Sequence, residues 1–228
     1  MRNTLRLLAV LAAVAVGTGM AHATTITFNF GACPSGPVAG SCPGDFGQNS
    51  ATYTSGGLSI VASGYSSSGL ANPDNLFLKA ESPDETGLGL AGTYANEANP
   101  GQYIYLDMSK LAGRGIFTGV IGLGSVEAGE VGSVCTTAAV GTPGTSCISA
   151  GDGGSGLSSA TLTWSLSDPV LSVTASPGSV LLTSVLLDDA PEPASLSLFG
   201  IGLLSLGLLY RRRLKSAAQT LLADPQNK

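Results

Sequence analysis

Thr25-Ile26-Thr27-Phe28-Asn29-Phe30 alternates polar and apolar residues without a break. A period of two places Ile26, Phe28 and Phe30 on one face of an extended chain and the polar residues on the other. The period returns in Leu58-Ser59-Ile60-Val61-Ala62, and further strands are expected at 75–79, 102–107, 115–126, 157–166, 170–175 and 180–187. Turn chemistry separates nearly all of them: Asn72-Pro73-Asp74, Asn99-Pro100-Gly101 and Ser176-Pro177-Gly178. In such triplets Pro presets φ, Asn and Asp bond to their own backbone, and Gly supplies positive φ. No soluble segment has a helical period. Short strands at this spacing predict an all-β fold, an antiparallel β-sandwich of jelly-roll type spanning 24–190.

The two ends of the chain have a different character. Ala194 to Tyr210 carries no charge, and Arg211, Arg212 and Arg213 follow at once. Seventeen residues make roughly 25 Å of helix, just under the ~30 Å hydrocarbon thickness of a bilayer. Leucines surround this helix instead of marking one stripe, which favours a transmembrane helix over a buried amphipathic one. At the other end, Arg2 and Arg6 precede an apolar run from Leu7 to Val16, and Ala21-His22-Ala23 offers small residues for cleavage. That order describes a secretory signal peptide over 1–23, with Thr24 as the new first residue. Arginines flank both apolar segments on the side expected to face the cytoplasm, so the middle of the chain is exported. A tail, 214–228, is expected to stay inside.

Pro191-Glu192-Pro193, the short Leu/Gly-rich helix and the three arginines together resemble the PEP-CTERM sorting signal of Gram-negative bacteria. The resemblance implies a temporary anchor recognised by exosortase, a membrane-embedded cysteine protease that cuts near the Pro-Glu-Pro. It makes Pro191, Glu192 and Pro193 a recognition motif, Arg211 to Arg213 a membrane stop, and exosortase and the general secretion machinery the partners. Family members usually stop soon after the arginines, whereas here Leu214 to Lys228 continues. The stretches from Leu76 through Gly87-Leu88-Gly89-Leu90 to Leu106-Asp107, and Val173-Thr174-Ala175 with Leu181-Leu182, also resemble ectodomains found in front of this signal, for which no activity is implied.

Between the two signals the basic residues are Lys79, Lys110 and Arg114, set against thirteen Asp and Glu. So acidic a segment is not a nucleic-acid partner, because neutralising the phosphate backbone needs clustered Lys and Arg. Its length suits one domain with a single core.

Cys33, Cys42, Cys135 and Cys147 are an even set in an exported chain, which predicts disulfides. Three connectivities are open, and local pairing of Cys33 with Cys42 and Cys135 with Cys147 is the simplest. Neither spacing matches the two-to-four-residue gaps of zinc pairs.

The one histidine, His22, lies in the segment expected to be removed. Ser-His-Asp and Cys-His mechanisms therefore have no base in the exported part. Carboxylate chemistry is what remains, with Asp84, Glu85, Glu97 and Asp107 as candidates for a glycosidase pair. These also read as solvated turn residues, and no catalytic residue is assigned. Gly87-Leu88-Gly89-Leu90-Ala91-Gly92 fits a dinucleotide-binding pattern, but Pro83-Asp84-Glu85-Thr86 precedes it where a buried strand should be. Leu88 and Leu90 are better core positions of a glycine-containing strand or bulge. No cofactor is expected beyond a structural calcium, for which Asp84, Glu85 and Asp107 could supply oxygen ligands. The segment from Gly151 to Gly156 is expected to be a flexible hairpin loop.

Three functions fit these observations. The first is a non-catalytic structural or interaction protein of the cell surface, extracellular matrix or biofilm. The second is a carbohydrate-binding module for extracellular polysaccharide, with Tyr53, Tyr65, Tyr94 and Trp164 as exposed aromatic candidates. The third is a carboxylate-based glycosidase.

Overall fold

A computed structural model describes residues 25–66, 72–142, 144–151 and 156–188, together with 202, 205 and 207. Thr25–Asp189 is one compact unit. Its strands are β1 (Thr25–Asn29), β2 (Gly44–Asp45), β3 (Ser50–Ser55), β4 (Leu58–Tyr65), β5 (Leu76–Ala80), β6 (Thr86–Leu90), β7 (Tyr103–Asp107), β8 (Thr118–Val126), β9 (Val131–Thr137), β10 (Ser146–Gly151), β11 (Gly156–Thr163), β12 (Val170–Ala175) and β13 (Leu181–Asp188). They form two antiparallel sheets. One runs β11-β8-β13-β6-β5-β2, with β1 also paired to β13, and the other runs β10-β9-β12-β7-β4-β3.

Alternation decides which side chains enter the core. In β4 the residues Leu58, Ile60, Ala62 and Gly64 are buried while Ser59, Val61, Ser63 and Tyr65 are half-buried. Phe28, Phe30, Ile60, Leu88, Leu106, Leu123 and Val173 meet in one cluster fed by both sheets. Each side chain of this size stabilises the fold by about 1.5–3 kcal/mol through burial. β12 lies between β9 and β7 and is buried along its whole length, so its alternation is masked by cover on both faces.

From β6 onward the chain changes sheet at each step through β7, β8 and β9, makes one hairpin to β10, and then alternates again through β11, β12 and β13. The expected hairpin at Gly151 to Gly156 is therefore a crossover: Gly151 ends an edge strand of one sheet and Gly156 begins an edge strand of the other. A single helical turn, α1 (Ser109–Ala112), follows β7, where no helix was expected. Leu111 and Ala112 are its buried side, four residues being too few to show a period in sequence. Strands β2, β3, β9 and β10 lie outside the predicted set.

The signal peptide with its Ala21 and Ala23 cleavage site, the Pro191 to Pro193 motif, Arg211 to Arg213 and the 214–228 tail lie outside the described residues. Of the expected 194–210 helix only Gly202, Ser205 and Gly207 are described, and these are helical. Among the described residues no helix is long and apolar enough to cross a membrane.

Candidate functional site

The principal cluster of buried charge gathers at the end of one sheet, where β5 turns into β6, β8 finishes and β13 begins. Lys79 is the fourth residue of Leu76-Phe77-Leu78-Lys79-Ala80, and it is 6 % exposed. Its Nζ donates to Glu97 Oε1 at 2.7 Å and lies 3.1 Å from Glu85 Oε2 and 3.7 Å from Glu81 Oε2. Glu97, 1 % exposed, sits between β6 and β7. It accepts two further bonds, from Ser125 Oγ (2.8 Å) to Oε1 and from Ser179 Oγ (2.6 Å) to Oε2. Burial lowers the pKa of Lys79, but hydrogen bonds to Glu97 and Glu85, with their charges, outweigh it and hold the ammonium above its ordinary range.

The neighbouring loops join this cluster through backbone bonds. The Ser125 amide, at φ 55, donates to the Asp84 carbonyl (2.8 Å), and the Ser179 amide donates to Glu130 Oε1 (3.0 Å). Asp84 itself is held by the Ser82 hydroxyl at 2.6 Å, which together with its own and Glu85's amides keeps its carboxyl below the usual range against the opposing effect of desolvation. Three of the four carboxylate candidates, Asp84, Glu85 and Glu97, are thus brought to one end of the sandwich. The chemistry there is that of a clamp. Both serine hydroxyls donate to Glu97, and Lys79 is directed at the same carboxylate and at that of Glu85.

Asp107 belongs elsewhere. It ends β7 in the other sheet, paired with Val61 and Val170, and its Oδ1 accepts the Ser109 amide at 2.9 Å at the start of α1. The structure therefore does not assemble Asp84, Glu85 and Asp107 as calcium ligands. Among the described residues no group of three or more His, Cys, Asp or Glu could hold a metal ion.

The aromatic candidates also separate. Tyr94 is 83 % exposed, and Tyr65 is half-buried with its ring edge-on to Tyr105 at 5.5 Å. Tyr53 and Trp164 are buried, contrary to their expected exposure. Tyr53 packs on Phe30 with ring centroids 4.5 Å apart, and Trp164 donates its indole N–H to the Ile116 carbonyl at 2.9 Å. Each lies at an alternation point where the apolar face turns inward, which overrides the surface preference of a polar-tipped ring.

The cysteines pair locally, Cys33 with Cys42 and Cys135 with Cys147. Cys135 and Cys147 are direct partners in the β9–β10 ladder. Sequence reasoning missed Lys79, Ser125 and Ser179. The signal for the first was present: it is one of three basic residues in the exported segment and stands inside an apolar strand.

The end of the unit leads to the remaining candidate, the sorting segment. β13 finishes at Asp188, three residues before Pro191, and Thr25 at the start of β1 is its ladder partner. A family model described as the PEP-CTERM protein-sorting motif matches residues 189–213, so the match begins where the last strand stops. Comparison with curated proteins and with solved structures returns no match.

Proposed function

From the PEP-CTERM protein-sorting motif that this chain carries at 189–213, we propose a non-catalytic surface protein. It is exported through its N-terminal signal, held for a time by the 194–210 helix, and freed or transferred by exosortase near Pro191-Glu192-Pro193. Sorting to the cell surface by exosortase follows from the motif itself. The structural or interaction role in an extracellular matrix is the finer reading. The position of the motif carries it: the matched segment starts directly after β13, so a cut near Pro193 leaves the ladder between β1 and β13 whole. The winding of β6 to β13, two nested Greek keys, is that of a jelly roll, a scaffold that serves many non-catalytic surface domains. The commitment of both Glu97 oxygens to Lys79, Ser125 and Ser179 supports the absence of acid–base work at the polar cluster.

Intact mass and terminal peptide mapping test this in matched hosts with and without an exosortase. The expected product begins at Thr24 and lacks everything beyond the Pro191 to Pro193 region, and only in the host that has the protease. Retention of Arg211 to Lys228 in both hosts would overturn the reading.

A further inference from the structure

The last strand ends directly on the sorting segment. The motif matches residues 189–213 and β13 runs to Asp188, so no residue lies between the matched segment and the strand. From Asp188 to Pro193 is five residues of chain, at most about 18 Å when fully extended. An enzyme bound at Pro191-Glu192-Pro193 therefore stands against the sandwich itself, and any contact it makes upstream of Asp189 falls on β13.

In the folded unit that strand is committed on both sides. Each residue from Ser184 to Leu187 has one ladder partner in β8 and another in β1, so that Leu187 stands between Gly119 and Ile26. The seam with β1 opens with the Phe30 amide, which donates to the Thr183 carbonyl at 2.8 Å, and it continues to the Thr25–Asp188 pair. Val185 and Leu187 are fully buried. The fit against β8 is close as well, since a β-carbon on Gly119 would come within 2.9 Å of the Leu186 carbonyl oxygen.

An extended peptide is recognised largely through its main-chain donors and acceptors. Here the main chain just upstream of the motif already serves two ladders, and a bond held in folded structure is cut only from an opened form. We propose, on the basis of the sorting reading above, that exosortase acts on this chain before β13 settles between β8 and β1. Folding of the last strand then sets the time available for release, and a chain that folds first keeps its 194–210 anchor. The order of the strands provides the interval. β13 is the last strand of the unit to be exported and its partner β1 is the first, so their seam is the least local pairing in the sandwich. Pairings of that kind form late.

Order of expression tests this with the full-length chain, read by intact mass. In the first sample the natural chain is made together with exosortase. In the second it is made beforehand, and exosortase is induced only after synthesis of the chain has been shut off. The third repeats the delayed order with a flexible Gly/Ser spacer between Asp188 and Asp189, which leaves the matched segment 189–213 whole and carries it clear of β13. The expected result is cleavage in the first and third samples and loss of cleavage in the second, which retains Arg211 to Lys228. A natural chain made beforehand that is cut as fully as the spacer chain would overturn the proposal and leave the sorting reading standing. A spacer chain that stays as intact as the natural one would overturn it too, because the protection would not come from the end of the sandwich. A natural chain left uncut even beside exosortase would remove the sorting reading itself, and this proposal with it.

Discussion

Thr25 stands directly opposite Asp188 in the ladder between β1 and β13, so the chain enters and leaves the sandwich at one point. β1 takes over the side of β13 that β6 leaves after the Leu182–Leu88 pair, and the ladder continues from Asn29–Ser184 to Thr25–Asp188. Phe28 and Phe30 bring fully buried rings to the core at this seam. Phe28→Ala is expected to cost about 3–5 kcal/mol of stability, measured as a shift in the urea midpoint. Truncation after Asp189, which leaves every β1–β13 pair in place, should shift it far less. Equal losses from the two changes would show that the seam does not hold the last strand.

Lys79 and Glu97 are both buried, and each is the other's closest charged partner at 2.7 Å. Lys79→Met leaves Glu97 without its cation and is expected to cost about 3–5 kcal/mol, as for other buried pairs broken on one side. Lys79→Met combined with Glu97→Gln should be milder than the sum of the single changes. A double-mutant cycle in urea reads the coupling, expected at about 1–3 kcal/mol. Strict additivity would mean that the serines, and not the lysine, hold Glu97.

The same pair gives the fold an alkaline limit. Lys79 binds its proton more tightly folded than unfolded, so its contribution is whole below its ordinary value of 10.5 and is lost as pH rises through the raised value. Tyr105 acts in the same direction: burial, then the neighbouring Tyr103 and Tyr65, push its hydroxyl up from 10.0 to about 12. Stability at neutral pH should therefore persist to about pH 10 and then fall steadily. Thermal melts from pH 8 to 12 check this, and Lys79→Met should show a shallower alkaline decline from its lower starting point.

Strands with large apolar residues at every second position were readable from sequence, as at Ile26-Thr27-Phe28 and Leu58-Ser59-Ile60. β9 and β10 were not. Val131-Gly132-Ser133-Val134-Cys135 offers only two strong apolar residues, and the Cys135–Cys147 bridge supplies the cross-strand contact that side-chain pairs supply elsewhere. β3, with Ala51 and Tyr53 among hydroxyl residues, takes its inward set from pairing with β4. Local disulfide pairing was legible because each loop is short. The Lys79–Glu97 clamp was not, since 18 residues separate its charges and only the β5–β6 hairpin and the following loop bring them together. Asp107 stands apart from Asp84 and Glu85 because it ends β7 in one sheet, whereas they lie in the turn between β5 and β6 of the other.

The Gly87-Leu88-Gly89-Leu90-Ala91-Gly92 stretch acquires a physical meaning from these contacts. Gly87 lets β6 lie against β13, since a β-carbon there would come within 2.8 Å of the Leu182 carbonyl oxygen. At Gly89 a β-carbon would overlap the Asn96 carbonyl and stand 3.0 Å from the Glu97 Cα. Ala95 and Asn96 already occupy the left-handed region, at φ 55 and 56, so this backbone has little freedom to retreat. Gly89→Ala must therefore displace Glu97, and with it the acceptor of Lys79, Ser125 and Ser179. Its cost should exceed the ~1–3 kcal/mol of simple overpacking. Gly151→Ala, where a β-carbon meets nothing within 4 Å, should be nearly neutral on the same urea scale. In the Lys79→Met background Gly89→Ala should lose part of its effect, because the clamp it disturbs is already broken. An undiminished cost there would assign the glycine to backbone packing alone.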